Sequence, residues 1–141
     1  MITIKNAPQK LIDLIFLGLD HGIDSIRSGG SLIPFIITEN KEGSGGEIRR
    51  FFTETVEGGE QKAEKYLKIL DPTPDYAIVA CGGYVTIDGE KKDAIMVKGF
   101  DKTQEEGYIL VQRYRPRAFL RSLKTIGNAA FMGSEPNILK K

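Results

Sequence analysis

The second half of the chain alternates apolar runs with short polar connections, and this spacing constrains the fold more than any other feature. The runs Tyr76–Ile87, Ala94–Val97 and Tyr108–Tyr114 are rich in the β-branched and aromatic residues typical of strands. Asp88-Gly89 is a hairpin signal, which the following Glu90-Lys91-Lys92 extends to a longer expected loop, and residues 102–107 form a second polar turn. Connections of that length join antiparallel strands. We therefore predict a mainly antiparallel sheet. The adjacent glycines inside the first run predict a bulge or sharp bend there.

The first half of the chain supplies two helices and two further strands. Apolar residues recur at helical spacing after Pro8 until Gly29-Gly30, where the first helix should end. Strands are predicted at Leu32–Thr38 and Glu47–Glu54, and a second helix from about Gly58 to Leu70. The order is therefore α-β-β-α-β-β-β.

Two amphipathic helices need one apolar surface to cover, and a sheet face supplies it. We expect a single α+β domain over residues 1–141, built as a two-layer sandwich with five strands and both helices on one face. Residues 117–141 lack strong periodicity and are expected to form an irregular basic tail. This element order resembles that of the roadblock and profilin-like small domains, a resemblance that implies the architecture and no function.

Several strands are apolar at successive positions, for example Ala94–Val97 and Tyr108–Val111. Such runs indicate that both faces of the sheet are covered. The expected cover for the second face is either the C-terminal segment or a second copy of the protein. This pattern favours self-association as a dimer or higher oligomer.

The charge balance excludes several classes of function. Twenty Lys and Arg stand against nineteen Asp and Glu, a net charge of +1, which argues against a polybasic nucleic-acid binder or membrane binder. One cysteine and one histidine make a poor set of zinc ligands. No apolar run is long enough to span a bilayer, so the cytoplasm is the expected location. We expect no metal and no cofactor.

The charges are nevertheless unevenly distributed. Residues 112–141 carry seven basic residues and one acidic residue, a net +6, whereas residues 1–111 carry thirteen basic and eighteen acidic residues, a net −5. Arginine suits bidentate contacts with phosphates and carboxylates, so the basic segment is a candidate anion site. The candidate ligand residues are Arg113, Arg115, Arg117 and Arg121. The alternative is that the basic segment docks on the acidic body of its own or a neighbouring subunit.

One motif suggests an enzyme. Pro74-Asp75, followed by Glu90 and Lys92, fits the Pro-Asp…Glu-x-Lys pattern of restriction-endonuclease-like nucleases. In those enzymes two carboxylates hold magnesium and the lysine activates water. The context differs, because Glu90 and Lys92 follow the Asp88-Gly89 turn rather than lying within a buried strand. The nuclease is kept as the alternative hypothesis.

Cys81 is the other candidate for chemistry, as a nucleophile at a sheet bend. A reactive thiol needs a base or a positive environment, and nothing in the sequence brings His21 to it. We predict that Cys81 packs in the core.

Three stretches are similar to a family of small bacterial cytoplasmic proteins with no assigned activity. They are Ser28–Phe35, Gly83–Gly89 and Gln112–Pro116. The resemblance implies a stand-alone domain and assigns no catalytic residue. The function we expect is a non-enzymatic protein- or ligand-binding module that self-associates.

Overall fold

A computed structural model of the chain describes residues 7–27, 29–43, 46–118 and 120–140. These residues contain two helices and six strands, and the order α-β-β-α-β-β-β is as predicted, with one further strand at its end. The elements are α1 (Gln9–Ile26), β1 (Phe35–Glu39), β2 (Ile48–Arg50), α2 (Val56–Ile69), β3 (Tyr76–Ile87), β4 (Glu90–Asp101), β5 (Glu106–Arg115) and β6 (Lys124–Pro136).

The strands form one sheet in the order β2-β1-β3-β4-β5-β6, and every neighbouring pair is antiparallel. Strands β3 to β6 make a meander, and the β1–β2 hairpin adds to the outer side of β3. The α+β class and the antiparallel sheet are therefore confirmed. Neither helix among the described residues is long and apolar enough to cross a membrane.

The prediction of five strands is wrong, because the segment expected to be an irregular tail contains β6. This strand has 13 residues and pairs with β5 along most of its length. It lies at the edge of the sheet and is exposed at most positions, so its sequence needs no regular apolar alternation. Two register irregularities interrupt its pairing with β5 and further obscure a period of two.

The prediction of two helices on one face is also wrong, because α1 and α2 pack on opposite faces of the sheet. Alternate side chains of a strand point to opposite sides. Phe35 of β1 and Ile78 of β3 lie in the cluster that includes the apolar residues of α1. Their neighbours Ile36 and Val79 lie in a second cluster, together with Ala63 and Leu67 of α2. The domain consequently has three layers.

Burial of both sheet faces is confirmed, since β3 is buried at each position from Tyr76 to Cys81. The cover over the second face is α2, assisted by Leu139 of the C-terminal segment. A second copy of the protein is therefore not needed to cover this face. Self-association stays a prediction, and this face is not the surface for it.

The β3–β4 hairpin protrudes from the body of the sheet. Its register is continuous from Tyr76↔Asp101 to Ile87↔Glu90, so the bulge expected at the adjacent glycines of β3 is absent. Asp88 and Gly89 form a two-residue turn with φ of 52° and 79°, as in hairpin turns of type I′. The pairing of β1 with β3 reaches only to Phe35↔Ala80, so no strand among the described residues pairs with the distal half of the hairpin on its β3 side.

Close approach of α1 to the sheet depends on glycine in β4. A Cβ atom on Gly99 would lie 2.4 Å from Cγ1 and Cδ1 of Ile15, which is fully buried. Helix α1 therefore rests directly on the backbone of β4, and a larger residue at this position would push the two layers apart.

We expect Gly99→Ala to lower the free energy of unfolding by about 1–3 kcal/mol, as overpacking in a dense core does. Urea denaturation followed by circular dichroism measures this change. Gly82→Ala on β3 is the matched control, since a Cβ there meets its nearest neighbour, Leu32, at 3.7 Å. Equal stability of the two variants would contradict this account of the α1 contact.

Candidate functional site

The four arginines of the candidate anion site fall into two pairs. Arg113 and Arg115 lie at the end of β5, where each is partly buried. Arg117 and Arg121 are exposed in the connection to β6. The structure therefore does not bring the four together as one site.

The first pair borders a fork in the sheet. The ladder between β4 and β5 ends at Ala94↔Arg113, although β4 begins at Glu90 and β5 continues to Arg115. The β3–β4 hairpin and the β5–β6 hairpin thus separate beyond this point. The gap between them is a cleft of about 250 Å³, called here the basic cleft. It is lined by Lys91, Lys92, Asp93, Arg113, Tyr114, Arg115, Pro116 and Ile126.

Cross-strand register explains why positive charge gathers at the fork. Arg113 and Arg115 are two residues apart and so share one sheet face. Directly paired residues also share a face, and Arg115 pairs with Lys124 of β6. Of the cleft's lysines, Lys92 is neutralised by Glu90, with Nζ 2.6 Å from Oε2. The other basic side chains of the cleft are the two arginines and Lys91, whose Nζ lies over the Tyr84 ring at 5.6 Å.

Both cleft arginines have a donor that lacks an acceptor. The Nε–H groups of Arg113 and Arg115 are buried, and neither has a hydrogen-bond partner among the described residues. The guanidinium of Arg115 is held from its other end, where Nη2 donates to the carbonyl of Ser122 at 3.2 Å. A buried donor without an acceptor costs about 1–3 kcal/mol, and an anion entering the cleft would supply the acceptor.

The second pair flanks a tight turn. Ala118 and Arg121 exchange backbone hydrogen bonds of 3.0 and 2.9 Å, so only positions 119 and 120 lie between them. Leu120 is 88% exposed and has φ of 62°. Phe119, which belongs to the C-terminal segment expected to cover the second sheet face, lies outside the described residues.

The structure does not assemble the nuclease motif. Asp75 directly precedes β3, whereas Lys92 pairs with Val85 and Glu90 with Ile87 near the other end of that strand, about 32–41 Å from Asp75. Asp75 is bound by Lys102, with Nζ 2.8 Å from Oδ1, and by the backbone N–H of Lys41. These hydrogen bonds hold the pKa of Asp75 below its usual value. A magnesium ion needs convergent oxygens, so one chain does not form this nuclease centre.

Cys81 and His21 lie on opposite sides of the sheet. Cys81 is buried beside Glu60 of α2, and burial raises the pKa of its thiol to about 12. His21 belongs to α1 and its ring packs edge-on against Phe35 at 6.5 Å. Cys81 therefore stays a thiol at neutral pH, with a carboxylate rather than a histidine or a positive charge as its nearest charged neighbour, which agrees with its predicted place in the core.

Sequence reasoning missed one charged cluster. Lys98 of β4 is 8% exposed, and its Nζ lies 2.9 Å from Glu60, 3.6 Å from Glu64 and 3.2 Å from Glu135. Its only sequence signal is a lysine inside the apolar run Val97–Phe100. Glu60 and Glu64 belong to α2 and Glu135 belongs to β6. Through these ion pairs, Lys98 of β4 binds both the helix and the edge strand.

The charges in this cluster do not cancel. Burial acts to lower the pKa of the Lys98 ammonium, but the hydrogen bond and charge of Glu60, with the other carboxylates, raise it overall. Burial raises the pKa of Glu64, although Lys98 opposes that shift. The ion pairs between Lys98 and the three carboxylates hold α2 on the sheet. The positive charge of Lys98 offsets the repulsion between the carboxylates.

The described residues contain no group of three His, Cys, Asp or Glu side chains arranged to hold a metal ion. The chain matches no protein-family model, no curated protein and no solved structure.

We expect Lys98→Met to lower the free energy of unfolding by about 3–5 kcal/mol at neutral pH, because it leaves three carboxylates close together without a counter-charge. Their pKa values would then be higher in the folded state than in the unfolded state. The loss is therefore largest above the folded pKa values and shrinks as the pH falls below them.

Urea denaturation at pH 7.5 and pH 5 tests both the size and the sign of this effect. Lys102→Met is the matched control, since Lys102 forms a single, more exposed ion pair with Asp75 and should contribute at most about 1 kcal/mol. A Lys98→Met deficit that is no larger than the control, or that grows as the pH falls, would refute this role of the cluster.

Proposed function

We propose that the protein is a non-enzymatic binding module that takes an anionic group, phosphate or carboxylate, in the basic cleft and acts as a self-associated assembly. The observation that supports anion binding is the pair of buried Nε–H donors of Arg113 and Arg115. Both belong to guanidinium groups at one cleft, and both lack an acceptor among the described residues.

The chemistry of the cleft favours an anion over a neutral ligand. A guanidinium offers two parallel donors to the two oxygens of a carboxylate or phosphate, and such charge-assisted bonds are about twice as strong as neutral ones. Asp93 is the one acidic residue that lines the cleft, against two arginines and two lysines. An incoming anion therefore meets net positive charge at a site already formed by the end of the β4–β5 ladder.

The size of the cleft limits the ligand. Sites for whole drug-sized molecules begin at about 300 Å³, and the basic cleft is slightly smaller, at about 250 Å³. It therefore suits the charged end of a molecule, with the remainder lying outside. Phosphate and carboxylate share the chemistry that the arginines recognise, so a binding experiment must separate them.

The test is a titration followed by the ¹H–¹⁵N resonances of the arginine Nε–H groups. We expect the Arg113 and Arg115 signals to shift and saturate with inorganic phosphate or with citrate, and not with sodium chloride at matched ionic strength. The phosphate and citrate arms identify which anion is preferred. Arg113→Gln and Arg115→Gln should each weaken binding about tenfold or more, since a hydrogen bond to a charged group contributes about 1.5–3 kcal/mol.

Arg50→Gln is the control, because Arg50 is an exposed cation on β2 at the opposite side of the sheet. It should leave the titration unchanged. Shifts that fail to saturate, or that affect Arg50 as strongly as the cleft arginines, would indicate general ionic screening and refute an anion site.

A further inference from the structure

The tip of the β5–β6 hairpin carries an apolar residue where turns normally carry polar ones. We define the tip as Arg117, Ala118, Leu120, Arg121 and Ser122. Two-residue hairpin loops favour Asn-Gly and similar pairs, because positive φ is costly for residues with larger side chains. Leu120 has φ of 62°, and its side chain is almost fully exposed. Both its backbone conformation and the exposure of its apolar side chain to water are therefore unfavourable. Strain of this kind in a solvated turn points to a partner that takes up the leucine.

A pocket lined by acidic side chains lies beside the basic tip. This acidic pocket has a volume of about 270 Å³ and opens where β3 extends past the end of β1. Its lining combines aromatic and apolar side chains with three carboxylates and includes no Lys, Arg or His. The lining residues are Ser31, Leu32, Glu57, Glu60, Gly82, Gly83, Tyr84, Asp93 and Tyr114.

The tip and the pocket match in both charge and polarity. The chain has no Asp or Glu from Gly107 to Ser134, so the tip and the adjoining parts of β5 and β6 carry positive charge alone. Leu120 is an apolar knob between Arg117 and Arg121, and the pocket is a partly apolar hollow rimmed by Glu57 and Asp93. Opposite charges on facing surfaces orient the partners, and burial of the apolar group stabilises the contact.

The two features are also neighbours on one surface. Tyr114 lines the pocket and lies three residues before Arg117. Gly29 lines the concavity at the tip, two residues before Ser31 of the pocket. A surface that carries a knob beside a matching hollow is self-complementary about a two-fold axis, since each copy then gives and receives the same contact.

We infer that two copies of the chain form a symmetric dimer by exchanging tips, with Leu120 of each copy in the acidic pocket of the other. This inference rests on the self-association in the proposed function and names its surface. Arg117 and Arg121 face Glu57 and Asp93 across each contact. An anionic membrane is a poorer partner for the tip, because the adjacent carboxylates of the pocket would be repelled by it.

The experiment combines charge reversal with mixing, and sedimentation velocity gives the oligomeric state. In a tip variant, Arg117→Glu and Arg121→Glu, both contacts of the dimer set acid against acid. In a pocket variant, Glu57→Lys and Asp93→Lys, both set base against base. We expect each variant alone to be monomeric at concentrations where the unaltered protein is dimeric.

Mixing the two variants restores attraction at both contacts. The reversed tip meets the reversed pocket, and the original tip of one variant meets the original pocket of the other. We therefore expect an equimolar mixture to dimerise about as well as the unaltered protein. Misfolding of either variant cannot produce this rescue.

Leu120→Asn separates assembly from folding. Asparagine tolerates positive φ, so this variant should unfold at the same or a higher temperature while dimerising at least about tenfold more weakly. A dimer that survives both the charge reversals and Leu120→Asn would overturn the tip exchange and leave self-association itself intact. A monomeric unaltered protein, including one that binds phosphatidylglycerol vesicles through Leu120, would overturn both.

Discussion

Burial of β3 on both faces, from Tyr76 to Cys81, requires a cover on each side of the sheet, and the remaining architecture follows from that requirement. Helix α1 covers one face and α2 covers the other, and each packs against the central strands of the sheet. Beyond Cys81 the strand leaves this double cover and continues as a protruding hairpin with β4. Both candidate sites lie around this hairpin, so the extent of the buried segment determines where binding surfaces arise.

The cluster around Lys98 shows how the second face differs from the first. On the α1 side the contact is apolar and close, with Ile15 resting on the backbone of Gly99. On the α2 side a buried lysine interacts with glutamates of both the helix and β6. An ion pair of this kind is directional, whereas apolar packing is not. Lys98 thus fixes how α2 is placed along the sheet, and α2 in turn contributes Glu57 and Glu60 to the acidic pocket.

The sequence predicted the elements better than their arrangement, for identifiable reasons. The runs Ala94–Val97 and Tyr108–Val111 indicated strands covered on both sides, because successive positions are apolar. The amphipathic pattern of α2 showed that it packs on a surface, but not on which face. Strand β6 has an exposed edge and irregular register, so it lacks the period that reveals a strand. The basic cleft depends on where the β4–β5 ladder ends, and a single sequence does not encode that register locally.

The basic segment that sequence reasoning treated as one anion site divides into two surfaces with different physical demands. Arg113 and Arg115 are partly buried at the end of β5, and their Nε–H donors lack an acceptor among the described residues. Arg117 and Arg121 are exposed on a turn, where ionic contacts are weak unless an apolar group is buried with them. Leu120 supplies that group. Arg115 lies on both surfaces, since it lines the cleft and also donates to Ser122 at the base of the tip. If both proposals hold, an anion bound by Arg115 would contact the residue that also binds Ser122 of the tip, so the two surfaces would be linked through one side chain.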